Sequence, residues 1–245
     1  MARLTNKTAV ITGGTTGIGF ETAKLFIAEG ARVIITGRNQ TRLDEAVAAL
    51  GSNVAGIKAD VQSLDELDSL ATQVQEIVGQ FDILFANAGI AKRANFRDVT
   101  EADFDQEIAI NFKGAFFTVQ KLEPLMNNGS SIILTTTILD QTALPGEGIY
   151  GASKAAVRSL ARSLSRELLD RQIRINAVAP GPIETPIWSK MDLPEDVPAQ
   201  VLGRTPIGRF GKPEEVAKAV LFLASDDSSY MLGEEILVDG GWATL

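Results

Sequence analysis

Tyr150 and Lys154 stand four residues apart in the run Tyr-Gly-Ala-Ser-Lys, in a chain of 245 residues that contains no histidine. That spacing is one helical turn, so the two side chains share a face. A phenol is a poor acid near neutrality, with an ordinary pKa of about 10. An ammonium one turn away can change that. Two unit charges roughly 5 Å apart at an effective dielectric of about 20 interact by about 3 kcal/mol, or about 2 pKa units. The pair therefore reads as a proton-handling couple, with the lysine drawing the tyrosine toward neutral pH. Histidine, the usual shuttle for this work, is absent. Tyr-x-x-x-Lys also arises by chance in many helices, so the surrounding elements must decide.

Composition removes several competing chemistries. The chain has no cysteine, so disulfides, thiolate nucleophiles and cysteine metal sites are excluded. Without histidine, Ser-His-Asp hydrolysis and most zinc chemistry go too. A formal net charge of −8 with no segregated basic stripe argues against nucleic acid as a partner. No apolar run approaches the eighteen or so residues that span a bilayer, so no membrane partner is expected. The N-terminal residues Met-Ala-Arg-Leu-Thr-Asn-Lys run almost directly into a strand, leaving no room for a signal peptide. The expectation is a cytoplasmic enzyme working with Tyr, Lys, Ser, Thr or carboxylates and no metal.

The elements that must position the pair alternate in type. Strands are expected at Thr8–Thr12, Arg32–Thr36, Val54–Lys58, Ile83–Ala86, Ser131–Thr136, Arg174–Ala179 and Ile236–Asp239. Helices are expected at Gly17–Glu29, Gln40–Leu50, Leu64–Val78, Glu101–Leu125, Tyr150–Asp170 and Pro213–Ala224. The strands are continuous apolar runs, as in a parallel sheet covered on both faces. The alternation predicts a single α/β domain, a Rossmann-like doubly wound parallel sheet of about seven strands. Ser63 and Thr100, each followed by acids, read as helix N-caps, and Pro213 suits a first helical position. One long stretch, Pro180–Gly211, reads as irregular and carries six prolines. Loops of that length are often functional, and a substrate lid is expected around 183–211.

Thr12-Gly-Gly-Thr-Thr-Gly-Ile-Gly19 joins the first strand to the first helix. Glycines there let the backbone approach a pyrophosphate and present N–H groups at the positive end of the helix dipole. An NAD-preferring site usually places an acid at the end of the second strand. Here that strand runs Ile-Ile-Thr-Gly into Arg38, with Arg42 one turn later. A guanidinium can pair bidentately with a 2′-phosphate, so NADP(H) is preferred over NAD(H).

With these features in order, the chain resembles the short-chain dehydrogenase/reductase family over essentially its whole length. The matching residues are Thr12-Gly-x-x-x-Gly17-x-Gly19, Asp60-Val61, Asn87-Ala88-Gly89, Asn111, Tyr150-x-x-x-Lys154 and Pro180-Gly181. The Asp239-Gly240-Gly241 ending is similar to the 3-oxoacyl-carrier-protein reductase and polyol dehydrogenase group. The resemblance implies cofactor contacts from Gly13, Thr15, Thr16, Gly17, Ile18 and Gly19. It implies that Asp60, beside Val61, bonds the adenine amino group, and that Asn87, with Ala88 and Gly89, fixes the central strand and the ribose. Pro180, Gly181, Ile183 and Thr185 would turn around the nicotinamide carboxamide.

The family places a hydroxyl residue thirteen positions before the tyrosine, usually serine; here it is Thr137. Threonine keeps the O–H, but its methyl restricts χ1 and narrows the pocket. Thr135 shares the strand face of Thr137 by the period of two. The implied mechanism has Thr137 holding the carbonyl oxygen and Tyr150 protonating it. Lys154 would lower the tyrosine's pKa and hold the ribose hydroxyls, while Asn111 anchors a water that relays protons from Lys154. The helix beginning near Tyr150 would favour a phenolate.

Leu139, Leu144, Ile149, Ile187, Trp188, Met191 and Leu193 suggest an apolar site for a ketone or secondary alcohol. Arg93 and Arg97 are candidates for gripping a carrier protein. The leading expectation is an NADPH-dependent carbonyl reductase acting on a ketone or 3-oxoacyl group. The alternatives are an NAD(P)-dependent polyol or sugar alcohol dehydrogenase and a non-catalytic NADP-sensing regulator. The resemblance also implies a homotetramer packed through the Glu101–Leu125 and Tyr150–Asp170 helices and the C-terminal segment.

Overall fold

The computed structural model describes residues 2–187 and 197–245. Seven strands form one parallel sheet in the order β3-β2-β1-β4-β5-β6-β7. They are β1 Thr8–Thr12, β2 Arg32–Gly37, β3 Val54–Lys58, β4 Phe81–Ala86, β5 Met126–Thr135, β6 Arg174–Pro180 and β7 Glu235–Val238. The described residues also form eight α-helices: α1 Gly17–Ala28, α2 Gln40–Leu50, α3 Leu64–Val78, α4 Glu101–Ile108, α5 Gly114–Leu122, α6 Gly148–Glu167, α7 Val197–Gly203 and α8 Pro213–Ala224.

Alternation within each strand splits the core in two. Val10, Ile34, Leu84 and Ile132 face α3, α5 and α6, packing with Leu67, Leu70, Val119 and Val157. Their neighbours Ile11, Ile35, Phe85 and Ile133 face α1, α2 and α8, packing with Phe26, Leu43, Val216 and Val220. The inner strands β1, β2, β4, β5 and β6 are buried on both faces, which is why their runs read as continuous, while the edge strands β3 and β7 are only partly covered. The strand order reverses direction between β1 and β4, so the crevice at their C-terminal ends is the natural ligand site of an open α/β sheet.

Several boundaries differ from the sequence expectation. Ser63 and Thr100 do cap helices, accepting from the backbone N–H of Glu66 and Asp103 at 3.2 Å each. The single helix expected over Glu101–Leu125 is interrupted by a π-helical turn, Ala109–Lys113, and ends in a short 3₁₀ turn at Glu123–Leu125. β5 ends at Thr135, one residue early, and α6 begins at Gly148, two residues before Tyr150. The stretch Pro180–Gly211 is not wholly irregular, because it contains α7, whose Val197 and Val201 are buried. A short bridge between Ile183 and Gly211 closes the base of that segment. Trp188, Met191 and Leu193 lie outside the described residues.

Candidate active site

Two adjoining cavities lie along the C-terminal edge of the sheet. The first has a volume of about 440 Å³ and is walled by the β1–α1 turn (Gly13, Thr15, Thr16, Gly17 and Ile18) and by Arg38 and Arg42 after β2. Asp60 and Val61 after β3, Asn87, Ala88 and Gly89 after β4, and Thr185 complete it. The second, about 190 Å³, is walled by Thr135, Thr137, Tyr150 and Lys154 and by Pro180, Gly181 and Ile183 after β6. Ile18, Asn87, Gly89 and Thr185 line both, so the two spaces meet there.

The turn is built for close approach. A Cβ on Gly19 would sit 2.3 Å from the Gly13 carbonyl oxygen and 2.7 Å from Asn87 Nδ2, so only glycine fits where α1 begins. Thr16 caps α1 without a side-chain bond, and no acid stands in the first turn. The N–H groups there are left for an anion. Asn87 locks the turn to β4: its Nδ2 donates to the carbonyls of Thr12 at 3.1 Å and Gly13 at 3.3 Å. Thr12 Oγ1 in return accepts from the backbone N–H of Asn87 and Ala88 at 3.0 and 3.1 Å. A glycine cradle, an uncapped helix start and a long cavity fit a dinucleotide.

Arg38 and Arg42 are exposed on the wall of this cavity. Neither side chain has an ion-pair or hydrogen-bond partner among the described residues; Arg42 uses its backbone N–H, on Asn39. Asp60 Oδ1 accepts from the backbone N–H of Gln62 at 3.1 Å, and the Asp60 N–H donates to Glu66 at 2.9 Å.

At the chemical end, Lys154 is buried and its Nζ donates to the Thr135 carbonyl at 2.7 Å. Asn111 sits in the π-helical turn and spends its whole side chain on the protein. Its Nδ2 donates to the carbonyl of Ile90 at 2.9 Å and to Ser153 Oγ at 3.2 Å, while Oδ1 accepts from Ile90 N–H at 2.9 Å. Ser153 Oγ donates to the Tyr150 carbonyl at 2.8 Å. Asn111 and Lys154 meet at Gly89: a Cβ there would lie 3.2 Å from Asn111 Oδ1 and 3.3 Å from Lys154 Nζ. π-Helical turns are rare and concentrate at functional positions. This one places Asn111 where the lysine ends.

Thr137 lies just past the end of β5 and lines the second cavity together with Thr135, as the period of two expects. It is an extended residue that opens a short 3₁₀ turn over Ile138–Asp140, and its Oγ1 accepts a long 3.4 Å bond from Leu139 N–H. The departure from the strand brings its hydroxyl to Tyr150. Thr136, between them, is consumed structurally, donating to the Val178 carbonyl and to Glu235.

The electrostatics revise the expected role of the lysine. Desolvation pushes the Tyr150 phenol up to about 12; the Thr137 hydroxyl opposes this, and Glu147, Glu107 and Asp140 add to it. Lys154 is itself lowered to about 8 by burial. In the ligand-free protein burial outweighs any pull of the ammonium on the phenol, and the lysine's bond goes to the Thr135 carbonyl.

Of the residues expected around the substrate, Leu139 and Leu144 line the second cavity, as does Ile187. Ile149 does not; one position before Tyr150 on α6, it points about 100° away. Arg93 does not face outward toward a carrier protein either. Its guanidinium turns in beside Pro145, whose carbonyl accepts from Nε at 3.3 Å, whereas Arg97 is exposed. The sequence reading missed Trp242 and Glu147, which also line this cavity. Trp242 arrives through the Asp239-Gly240-Gly241 turn, where Asp239 accepts from the N–H of Gly241 and Ala243 at 2.9 and 2.8 Å. That Asp-Gly-Gly run was the available signal for Trp242, whereas nothing around Glu147 marked it.

Comparison with known proteins agrees with this geometry. A family profile described as enoyl-(acyl carrier protein) reductase matches residues 13–243. The 3-oxoacyl-[acyl-carrier-protein] reductase of Thermotoga maritima is 41% identical over 244 residues, covering 98% of each chain. A solved short-chain dehydrogenase/reductase family protein superposes with a TM-score of 0.89 at 37% identity, covering 99% of this chain and 100% of that one. The 3-ketoacyl-(acyl-carrier-protein) reductase of Brucella melitensis, solved with NADH, gives a TM-score of 0.92 at 30% identity, covering 98% of this chain and 99% of that one. The glycine cradle, the Tyr150–Lys154 turn and the likeness along the whole chain have one explanation: this protein belongs to the short-chain dehydrogenase/reductase family of oxidoreductases.

Proposed function

We propose that the protein is an NADP(H)-dependent carbonyl reductase acting on a small ketone. The observation that carries this reading is the convergence of Thr137, Tyr150 and Lys154 on one cavity that opens into the glycine-lined one at Asn87 and Gly89. The nicotinamide cofactor, when bound, supplies or accepts the hydride. The β1–α1 turn and Asn87 hold the pyrophosphate side. Asp60 and Val61 border the adenine, and Arg38 with Arg42 receives a 2′-phosphate. Pro180, Gly181, Ile183 and Thr185 bound the reacting end.

Thr137 Oγ donates to the substrate oxygen as negative charge develops on it. Tyr150 then delivers its proton to that oxygen. Lys154 holds ribose hydroxyls and leads protons in from solvent, while Asn111, its side chain held by Ile90 and Ser153, fixes the wall beside the lysine.

The apolar wall of Ile90, Leu139, Leu144, Ile187 and Trp242 suits a ketone of modest size. Retention of both Tyr150 and Lys154 speaks against a non-catalytic regulator. We place the protein in the cytoplasm as a homotetramer. No helix among the described residues is long and apolar enough to cross a membrane, and Phe96, Phe104, Tyr230 and Leu245 are exposed apolar surface.

A spectrophotometric screen of NADPH and NADH consumption over ketones, 3-oxoacyl thioesters and sugars tests the reading. NADPH-linked turnover of small ketones is the expected result. No turnover of any carbonyl would overturn it, and light scattering at the mass of a monomer would remove the tetramer.

A further inference from the structure

Two residues that wall the second cavity, Glu147 and Arg93, each carry a buried polar atom without a hydrogen-bond partner among the described residues, and neither is used in the mechanism above. Glu147, at the N-terminal boundary of α6, is 5% exposed and lines the cavity three residues before Tyr150. Its Oε2 is buried with no hydrogen-bond partner. Arg93 lines the same cavity, its stem packed under Gly146, where a Cβ would come within 2.7 Å of Arg93 Cγ. Its Nη1 is likewise buried and unpartnered. The two residues sense each other electrostatically but make no ion pair. Behind Glu147 lies Glu107, 1% exposed, whose Oε1 accepts from Lys92 N–H at 2.9 Å and whose Oε2 is also unpartnered.

Unmatched buried polar groups are costly, and a native site that keeps them calls for an explanation. Here one group can only donate and the other, as a carboxylate, can only accept. A ligand carboxylate would satisfy Arg93 but lie against Glu147 with Glu107 behind it. A ligand ammonium would satisfy Glu147 but meet the guanidinium. A neutral group that accepts and donates at once satisfies both, and the smallest such group is a hydroxyl. It would sit in an otherwise apolar wall, apart from the Thr137 and Tyr150 hydroxyls that take the reacting oxygen.

We infer that Arg93 and Glu147 form a second polar subsite that selects ketones carrying a hydroxyl group on an apolar skeleton. The hydroxyl oxygen accepts from Arg93 Nη1 and its proton is donated to the Glu147 carboxylate. This rests on the reductase reading and narrows its substrate to hydroxyketones, with diols as the products of reduction.

The test compares cyclohexanone with its 2-, 3- and 4-hydroxy derivatives as substrates of the tetramer or of whatever assembly it forms. The expected result is at least one hydroxylated isomer with kcat/KM about 10–100-fold above cyclohexanone, the range for a hydrogen bond to a charged group. Glu147→Leu and Arg93→Met should each collapse that ratio toward one. A wild-type ratio at or below one for all three isomers would overturn the inference, as would a preference that survives in both variants. Calorimetric titration of the NADP⁺-saturated protein with cyclohexanediols against cyclohexanol reads the same subsite without turnover. If no ketone is reduced, the reductase reading fails and the titration still decides the subsite: equal affinities for diols and cyclohexanol reject it.

Discussion

Lys154 reaches from α6 to the end of β5 and donates to the Thr135 carbonyl at 2.7 Å, so its ammonium is tied to the strand rather than to the phenol of Tyr150. This is its one hydrogen bond among the described residues, and burial lowers its pKa from 10.5 to about 8. A lysine whose folded pKa is depressed destabilises the fold wherever it is charged. That cost is full below about pH 8 and fades as pH rises toward 10.5.

Lys154→Met should therefore stabilise the ligand-free protein while removing its activity. The buried charge costs about 3 kcal/mol at pH 7, and the lost hydrogen bond returns about 1 kcal/mol. A net gain of about 2 kcal/mol corresponds to a rise in Tm of roughly 4–8 °C for a chain of this size. Carbonyl reduction should fall by about 100-fold or more. Calorimetry at pH 7 and at pH 10 checks the sign, since the stabilisation should shrink at the higher pH. A lower Tm at pH 7 would refute the burial argument.

Thr137 supplies a hydroxyl at the start of a 3₁₀ turn, where its Oγ1 accepts one long bond from Leu139 N–H. Thr137→Val keeps the shape and deletes the O–H, so kcat should drop by about 100–1,000-fold with unfolding unchanged. Thr137→Ser should retain turnover. Near-normal rates in the valine variant would remove Thr137 from the chemistry.

Arg38 and Arg42 stand exposed on the nucleotide cavity without an acidic partner among the described residues. Arg38→Ala should lower the kcat/KM ratio of NADPH to NADH by about 10–100-fold, the worth of a charged hydrogen bond to a phosphate. The effect should fall in KM for NADPH. A wild-type enzyme that already prefers NADH would contradict this assignment outright.

Glu147 offers a pH signature in stability. Burial first, and then the neighbouring Glu107, push its carboxyl from 4.5 up to about 7, with Arg93 opposing. The folded state thus holds this proton more tightly than the unfolded chain does. Its contribution is complete below about pH 4.5 and is lost as pH climbs to about 7. The loss amounts to about 3 kcal/mol. Urea unfolding of Glu147→Gln should show a shallower decline in stability between pH 5 and pH 8 than the wild type. Parallel pH slopes for the two proteins would show that Glu147 does not titrate in this range.

Much of the molecule was legible before folding was considered. Local chemistry marked the β1–α1 turn, because only glycine tolerates the approach of Gly13 and Asn87 to Gly19. Continuous apolar runs marked a sheet covered on both faces, and four-residue spacing marked Tyr150 and Lys154 as neighbours on α6. Asn111 was visible as a motif residue. Its π-helical turn was not, since a one-residue widening leaves the apolar pattern of Glu101–Leu125 nearly unchanged.

What the sequence could not settle were quantities set by many distant groups at once. Spacing alone made Lys154 the partner of the Tyr150 phenol, but burial under β5 gave its proton to the Thr135 carbonyl and drove the two pKa values the other way. Strand periodicity put Thr137 beside Thr135, and both line one cavity, but the 3₁₀ turn that Thr137 opens after β5 was not visible. Arg93, Glu147 and Trp242 come from three separate segments, and no local pattern links them. Periodicity and turn chemistry are properties of neighbours along the chain and survive in the sequence. Desolvation and the walls of a cavity depend on which surfaces the fold brings together, and only the tertiary structure decides them.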